Sequence, residues 1–268
     1  MPLSAEGIEA WIQVGYDAGD DGEEAEMYSA EATQTPSGPG WSAWIASQLG
    51  REFTIHWRNT DVFCQTVGRV WVDGIECSGE ILRGPNHATK CAGRRTSGST
   101  VAPFVFSNVN LTDDDTFLDS TSSREVGTIK LEIWTINMTG TKQFSLKAPI
   151  AQSKVHERTK KGVAHQVKFG APVEVSTRAA AVIEYLDSAP LVTFVFRYRS
   201  MDILRANDIV SEAEVKRAAS RARGILVKQE EKPAKRLKRE PTAAFKPGEI
   251  IDLTRDSPAP EPEVIDLT

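Results

Sequence analysis

The sequence is poor in the residues that staple chains together. Its 268 residues hold three cysteines, Cys64, Cys77 and Cys91, too few and too odd in number for a disulfide framework. A reducing compartment is therefore expected. No excess of one charge stands out either: 32 Lys and Arg against 37 Asp and Glu give a net charge of −5. That balance implies no dominant nucleic-acid partner. No apolar run approaches the ~20 residues that cross a bilayer, so no membrane partner is expected. The stretch Met1-Pro2-Leu3-Ser4-Ala5-Glu6 has neither a basic start nor an apolar run and does not read as a secretory signal.

Catalytic and metal-binding patterns are also missing. Of the histidines, His56 lies beside Trp57 in an alternating segment and His87 in a Gly/Pro/Asn turn. His156 falls in a charged stretch and His165 opens an apparent strand. None has a His or Cys partner at ligand spacing, and Cys77 and Cys91 are too far apart for a local knuckle. Asp113-Asp114-Asp115 lacks the glycine and the closing glutamate of a calcium loop and reads as a solvated turn. Gly93-Arg94-Arg95-Thr96-Ser97-Gly98-Ser99-Thr100 lacks the Gly-Lys-Ser/Thr ending of a phosphate loop. Neither a nucleophile elbow nor a triad is recognisable. The expectation is a non-enzyme with no cofactor, no metal and no catalytic residues; an enzyme hidden in the folded part is the third-ranked reading.

Short alternating segments fill residues 5 to 200. Ile8 to Val14, Phe53-Thr54-Ile55-His56-Trp57, and Gly68 to Val72 each alternate apolar and polar residues. Asp73-Gly74 follows the third as a two-residue hairpin signal. Val126 to Ile136 is the clearest strand, and Leu191 to Tyr198 the last. Turn-forming clusters separate them at Pro36 to Gly40, Gly93 to Ser99 and Leu111 to Ser123. Ser153 to Gly162 is basic but lacks interleaved aromatics, and reads as a charged loop between strands. Many strands with no helical period between them predict a mainly β fold, an antiparallel β-sandwich or a flattened barrel, over 1–205. A helix is expected within 206–224, where Ser211 and Glu214 form a capping box and Gly224 ends the run. Residues 225–268 are rich in Lys, Glu and Pro and poor in large apolar groups; burial there cannot offset ordering entropy, so a disordered tail is expected.

Five strings carry a family resemblance: Phe53 to Trp57, Val70 to Gly74, Val126 to Ile129, Ala164 to Gly170, and Phe196 to Ser200. In this order they resemble the uncharacterised domain common in mushroom-forming fungi, over about residues 5–205. The resemblance implies a globular domain with no assigned activity. It brings no catalytic residues with it.

The tail carries its own signals. Lys and Arg crowd 216–239, and acids crowd 249–266. Lys232, Lys235, Arg236, Lys238 and Arg239 make a basic run that resembles a monopartite nuclear localisation signal, readable by a nuclear import receptor, and so predict the nucleus. Val227-Lys228-Gln229-Glu230 and Leu237-Lys238-Arg239-Glu240 match the pattern of a SUMO acceptor, with Lys228 and Lys238 as the acceptor lysines. Ile129-Lys130-Leu131-Glu132 matches it too, but lies in an expected strand.

Beyond these come two near-copies of one motif. In the first, Glu249 precedes Ile250, Ile251, Asp252 and Leu253; in the second, Glu263 precedes Val264, Ile265, Asp266 and Leu267. They resemble tandem SUMO-interacting motifs. An extended aliphatic segment of this kind adds a strand to a sheet edge, its side chains filling a groove and its acids meeting a basic rim. The resulting expectation is a non-enzymatic nuclear adaptor for SUMO or SUMO-modified proteins, the ligand of its β domain unassigned. The runner-up is a chromatin or nucleic-acid binding protein using the basic segment.

Overall fold

Alternation places one side of each strand in a common interior, and the strands pair so that two such sides meet. The computed structural model describes residues 1–15, 22–35, 38–115, 125–145, 154–157, 162 and 164–211. In chain order the strands are β1 (Leu3–Ala5), β2 (Ile8–Val14), β3 (Glu23–Glu24), β4 (Met27–Thr35), β5 (Gly38–Ala46), β6 (Glu52–Asn59), β7 (Thr66–Val72), β8 (Ile75–Leu82) and β9 (Ala88–Cys91). They continue as β10 (Gly93–Arg95), β11 (Thr100–Asn108), β12 (Asn110–Thr112), β13 (Thr128–Lys142), β14 (Lys154–His156), β15 (His165–Phe169), β16 (Val173–Glu174), β17 (Ala180–Tyr185) and β18 (Val192–Arg199). One short helix, α1 (Met201–Ala206), follows. The fold is mainly β, as expected.

One sheet runs β1-β2-β6-β11-β10, with β3, β9, β15 and β16 paired at its margins. The other runs β4-β5-β18-β13-β7-β8, with β17 continuing along β13. Their facing sides build one core. Ile8, Ile12, Phe53, Ile55 and Trp57 come from the first sheet, and Val70, Val72, Ile129, Leu131, Ile133, Phe194 and Phe196 from the second, all buried. Phe53 stacks on Phe106 at 4.4 Å between centroids, and Phe106 meets Tyr198 of the opposite sheet at 5.1 Å. Such ring pairs add to the stabilisation from area burial alone. Gly68 of β7 lies against the indole of Trp57; a Cβ there would come within 2.6 Å of the ring, so this inward position takes no side chain. The architecture is the expected sandwich.

Pairing is antiparallel with two exceptions. β18 runs parallel to β5, from Thr193 opposite Gly40 to Arg199 opposite Ala46, and β12 runs parallel to β14. A parallel pair needs a long crossover, and β5 and β18 are separated by most of the domain.

The Asp73-Gly74 hairpin forms as read. Both residues take positive φ, 51° and 79°, the conformation of a two-residue turn matched to strand twist. Three turn clusters are partly strand instead. Gly38 to Gly40 open β5, Gly93 to Arg95 form β10, and Leu111 and Thr112 belong to β12. At Gly40 a Cβ would lie 2.7 Å from the Thr193 carbonyl, so this glycine serves a close strand approach rather than a turn. The basic stretch from Ser153 contains β14, with Val155 and His156 buried.

The helix α1 follows β18 directly, and Leu204 is buried in a small cluster with Tyr28 and Val210. The helix read at Ser211 to Gly224 lies beyond Ser211 outside the described residues, as does all of 225–268. The chain divides into two units, Met1–Ala219 and Ser220–Thr268, and every described residue belongs to the first.

Candidate functional site: an arginine-lined cleft on the sandwich

The sites read from the sequence fall in the tail. Lys228, Lys232, Lys235, Arg236, Lys238 and Arg239, the first motif from Ile250 to Leu253, and the second from Val264 to Leu267 all lie outside the described residues. The third acceptor pattern lies in β13, between β7 and β18, with Lys130 Nζ 3.1 Å from Glu132 and stacked over Trp71. A lysine held so cannot extend into a conjugating site.

The histidines are dispersed. His56 stacks on Trp11 at 5.3 Å and shares a 2.7 Å hydrogen bond with Thr54. Burial, with Lys90 nearby, pushes its imidazole down to about 4. His165 Nδ1 lies 2.8 Å from the Ser47 hydroxyl, and burial lowers its pKa. His156 Nε2 is 3.2 Å from a carboxylate oxygen of Asp115 in the triple-aspartate run. Among the described residues no three His, Cys, Asp or Glu side chains gather to hold a metal ion. None of the three cysteines is in a disulfide.

The concave surface lies elsewhere, and no local motif announced it. Two cavities, of about 620 and 560 Å³, share a wall made by Glu80, Arg95 and Arg178. Glu80 projects from β8, and Arg95 ends β10. The turn after β10 brings Arg178 beside them: β16 pairs with the start of β11, the Val175 amide donates to Ser99 O, and the Arg178 amide donates to Gly98 O at 3.0 Å. Hydroxyls of Thr96, Ser97 and Thr100 tie that turn together at 2.7 Å. The Gly93 to Thr100 segment is thus a hairpin turn that positions an arginine.

Arg178 Nη1 donates to Glu80 Oε2 at 2.8 Å, and Arg95 Nη1 donates to Gly98 O at 3.0 Å. Burial raises the Glu80 carboxyl, while Arg178 and Arg95 pull it back. The larger cavity is lined by Arg69 and Arg83 as well, with Val67, Ile81, Met138, Ile183 and Tyr185 as apolar surface. Arg69 donates to Glu76 at 2.8 Å and lies over the Trp71 ring at 4.8 Å. The cleft offers cations beside apolar surface.

A second polar cluster is internal. The Asp73 carboxylate is buried and accepts from the Tyr198 hydroxyl at 2.6 Å, the Gly127 amide at 2.8 Å and the Val167 amide at 2.7 Å. Val167 belongs to the first sheet and Tyr198 to the second, so one carboxylate joins both. Burial pushes it up to about 6 against the pull of these donors. Burial and the Asp73 charge raise the Tyr198 phenol well above its usual range. Both side chains are buried, and the network reads as a structural clasp.

On the outer side of the second sheet, Arg197 and Arg199 lie over Trp44 at 5.6 and 5.4 Å. These indole faces are engaged by the protein's own cations.

No curated protein and no solved structure matches the chain. The family model described as Domain of unknown function (DUF7918) matches residues 17–213, most of the chain and most of the described sandwich, and the chain belongs to that family.

Proposed function

We propose that the chain is a nuclear adaptor that binds SUMO or SUMO-modified proteins through its two C-terminal motifs and performs no chemistry of its own. The repeated motif carries this reading: Ile250-Ile251-Asp252-Leu253 and Val264-Ile265-Asp266-Leu267, each preceded by an acid. Aliphatic residues of this kind favour the extended form that strand addition needs. The basic run from Lys232 to Arg239 supplies the address for an import receptor, and Lys228 and Lys238 are candidate SUMO acceptors. The ordered strings that resemble the mushroom-fungal domain support a fungal origin.

The second reading is nucleic-acid binding through the same basic segment. The cations stacked on Trp44 and Trp71 speak against single-strand stacking on those rings, since the indole faces are already taken.

Capture of the full chain on immobilised SUMO tests the reading. Replacing Ile250, Ile251 and Leu253 by alanine is expected to leave binding through the second motif. Replacing Val264, Ile265 and Leu267 as well is expected to abolish capture; capture that survives both changes would contradict the assignment. In cells, alanine at Lys235, Arg236, Lys238 and Arg239 is expected to abolish nuclear accumulation, measured by fluorescence of a full-length fusion. Active nuclear import of that variant would place the signal elsewhere.

A further inference from the structure

We propose that the cavity between β8 and β17 binds a small organic acid, a carboxylate attached to an apolar body. This site is independent of the tail and of SUMO.

Charge selects the ligand's sign. Among the described residues, Arg69, Arg83, Arg95 and Arg178 line this cavity against Glu76 and Glu80, a formal surplus of two positive charges. The adjoining cavity is lined by Lys90, Arg95 and Arg178 against Glu52, Glu80 and Glu174, which cancel. An anion therefore belongs on the β8–β17 side of the shared wall.

Geometry favours a carboxylate. Arg178 is already drawn to Glu80, and Arg95 stands close enough to the same carboxylate to lower its pKa. Guanidinium groups match the planar fork of a carboxylate and bind it more strongly than neutral donors would. Glu80 is mostly covered, with 21% of its side chain exposed, while Arg178 is 59% exposed. The glutamate thus holds an exposed arginine in place on the cavity wall, so part of the ordering cost is met before a ligand arrives.

The apolar requirement comes from the opposite wall. Val67 of β7, Met138 of β13, and Ile183 and Tyr185 of β17 present apolar surface to the cavity. Tyr185 is 45% exposed and fixed edge-on against Trp134 at 5.1 Å. Phe144 also lines the cavity. A volume of about 620 Å³ suits a ligand of modest size.

Calorimetric titration of the full chain with octanoate, acetate, octan-1-ol and octyl phosphate tests the proposal. Octanoate is expected to bind at least about tenfold more tightly than acetate, which lacks the body, and than octan-1-ol, which lacks the charge. Arg178→Gln is expected to weaken octanoate about tenfold to a hundredfold. Arg58→Gln, a surface change at the Glu9 ion pair on the other sheet, is expected to leave affinity unchanged. Near-UV circular dichroism confirms that each variant is folded. Equal affinity for octanoate and octan-1-ol, an unchanged constant in folded Arg178→Gln, or no binding at millimolar octanoate would overturn the site. Tighter binding of octyl phosphate than of octanoate would overturn the carboxylate assignment.

Discussion

Replacing Asp73 by alanine should cost on the order of 4 kcal/mol of stability in mildly acidic solution, measured by urea unfolding of the full chain. Two effects add. The Gly127 and Val167 amides and the Tyr198 hydroxyl all lose their acceptor while buried. Asp73 also takes φ 51°, which an aspartate tolerates better than an alanine does. Tyr198→Phe removes one donor and keeps the carboxylate paired with both amides, so it should cost much less, about 1–2 kcal/mol.

The pH dependence has a definite sign. The folded pKa, about 6, lies above the ordinary value of 3.8, so the folded state holds the Asp73 proton more tightly than the unfolded state does. Its stabilising share is complete below about pH 4 and is lost as pH rises through about 6. The stability gap between wild type and Asp73→Ala should therefore narrow by up to about 3 kcal/mol over that window. A gap that widens from pH 4 to 7 would show that the three donors around the carboxylate, not burial, set the ionisation of Asp73.

The parts of this fold that were readable in advance are the local ones. Asp73-Gly74 announces a hairpin because two adjacent positions need positive φ, a requirement that a dipeptide can express. Val126 to Ile136 reads as a strand because β13, which begins at Thr128, alternates Ile129, Leu131 and Ile133 into the core. Its extension to Lys142 is polar and is held by pairing with β17, so nothing in its own residues marks it. β11 is hidden by Pro103, which breaks a strand pattern, although Phe104 and Phe106 are fully buried. The parallel pairing of β5 and β18 is invisible because alternation tells which side faces inward and never which strand lies alongside. α1 is a single short turn after a strand and has too few residues to show a helical period.

The cleft was illegible for the same reason. Glu80 and Arg178 are 98 residues apart, and each alone is an ordinary surface charge. Only the pairing of β16 with β11 brings them together. Asp73 and Tyr198 are likewise 125 residues apart. The tail motifs present the opposite case: they carry their whole pattern within six consecutive residues, so the sequence exposes them without any fold.

A chain of SUMO units should bind this protein far more tightly than one unit does. Each motif alone is expected to be weak, because a short linear motif presents few contacts to its partner. The two aliphatic cores are separated by residues 254–263, which include Pro258, Pro260 and Pro262. A polyproline-like linker of that length, at ~3.1 Å per residue, would span roughly 30 Å. That is about the diameter of a small domain, so the two motifs can reach neighbouring units. Binding of the second motif then becomes intramolecular, with an expected avidity gain of roughly 10²–10⁴.

The most direct measurement is therefore a calorimetric titration of the full chain with single SUMO and with a linear SUMO chain. Binding to both, with the chain favoured by roughly 10²–10⁴ and that advantage lost when Val264, Ile265 and Leu267 become alanine, is the predicted result. Absence of binding to either form would contradict the adaptor reading. Equal affinity for the two would contradict bivalent engagement while leaving single-motif binding in place.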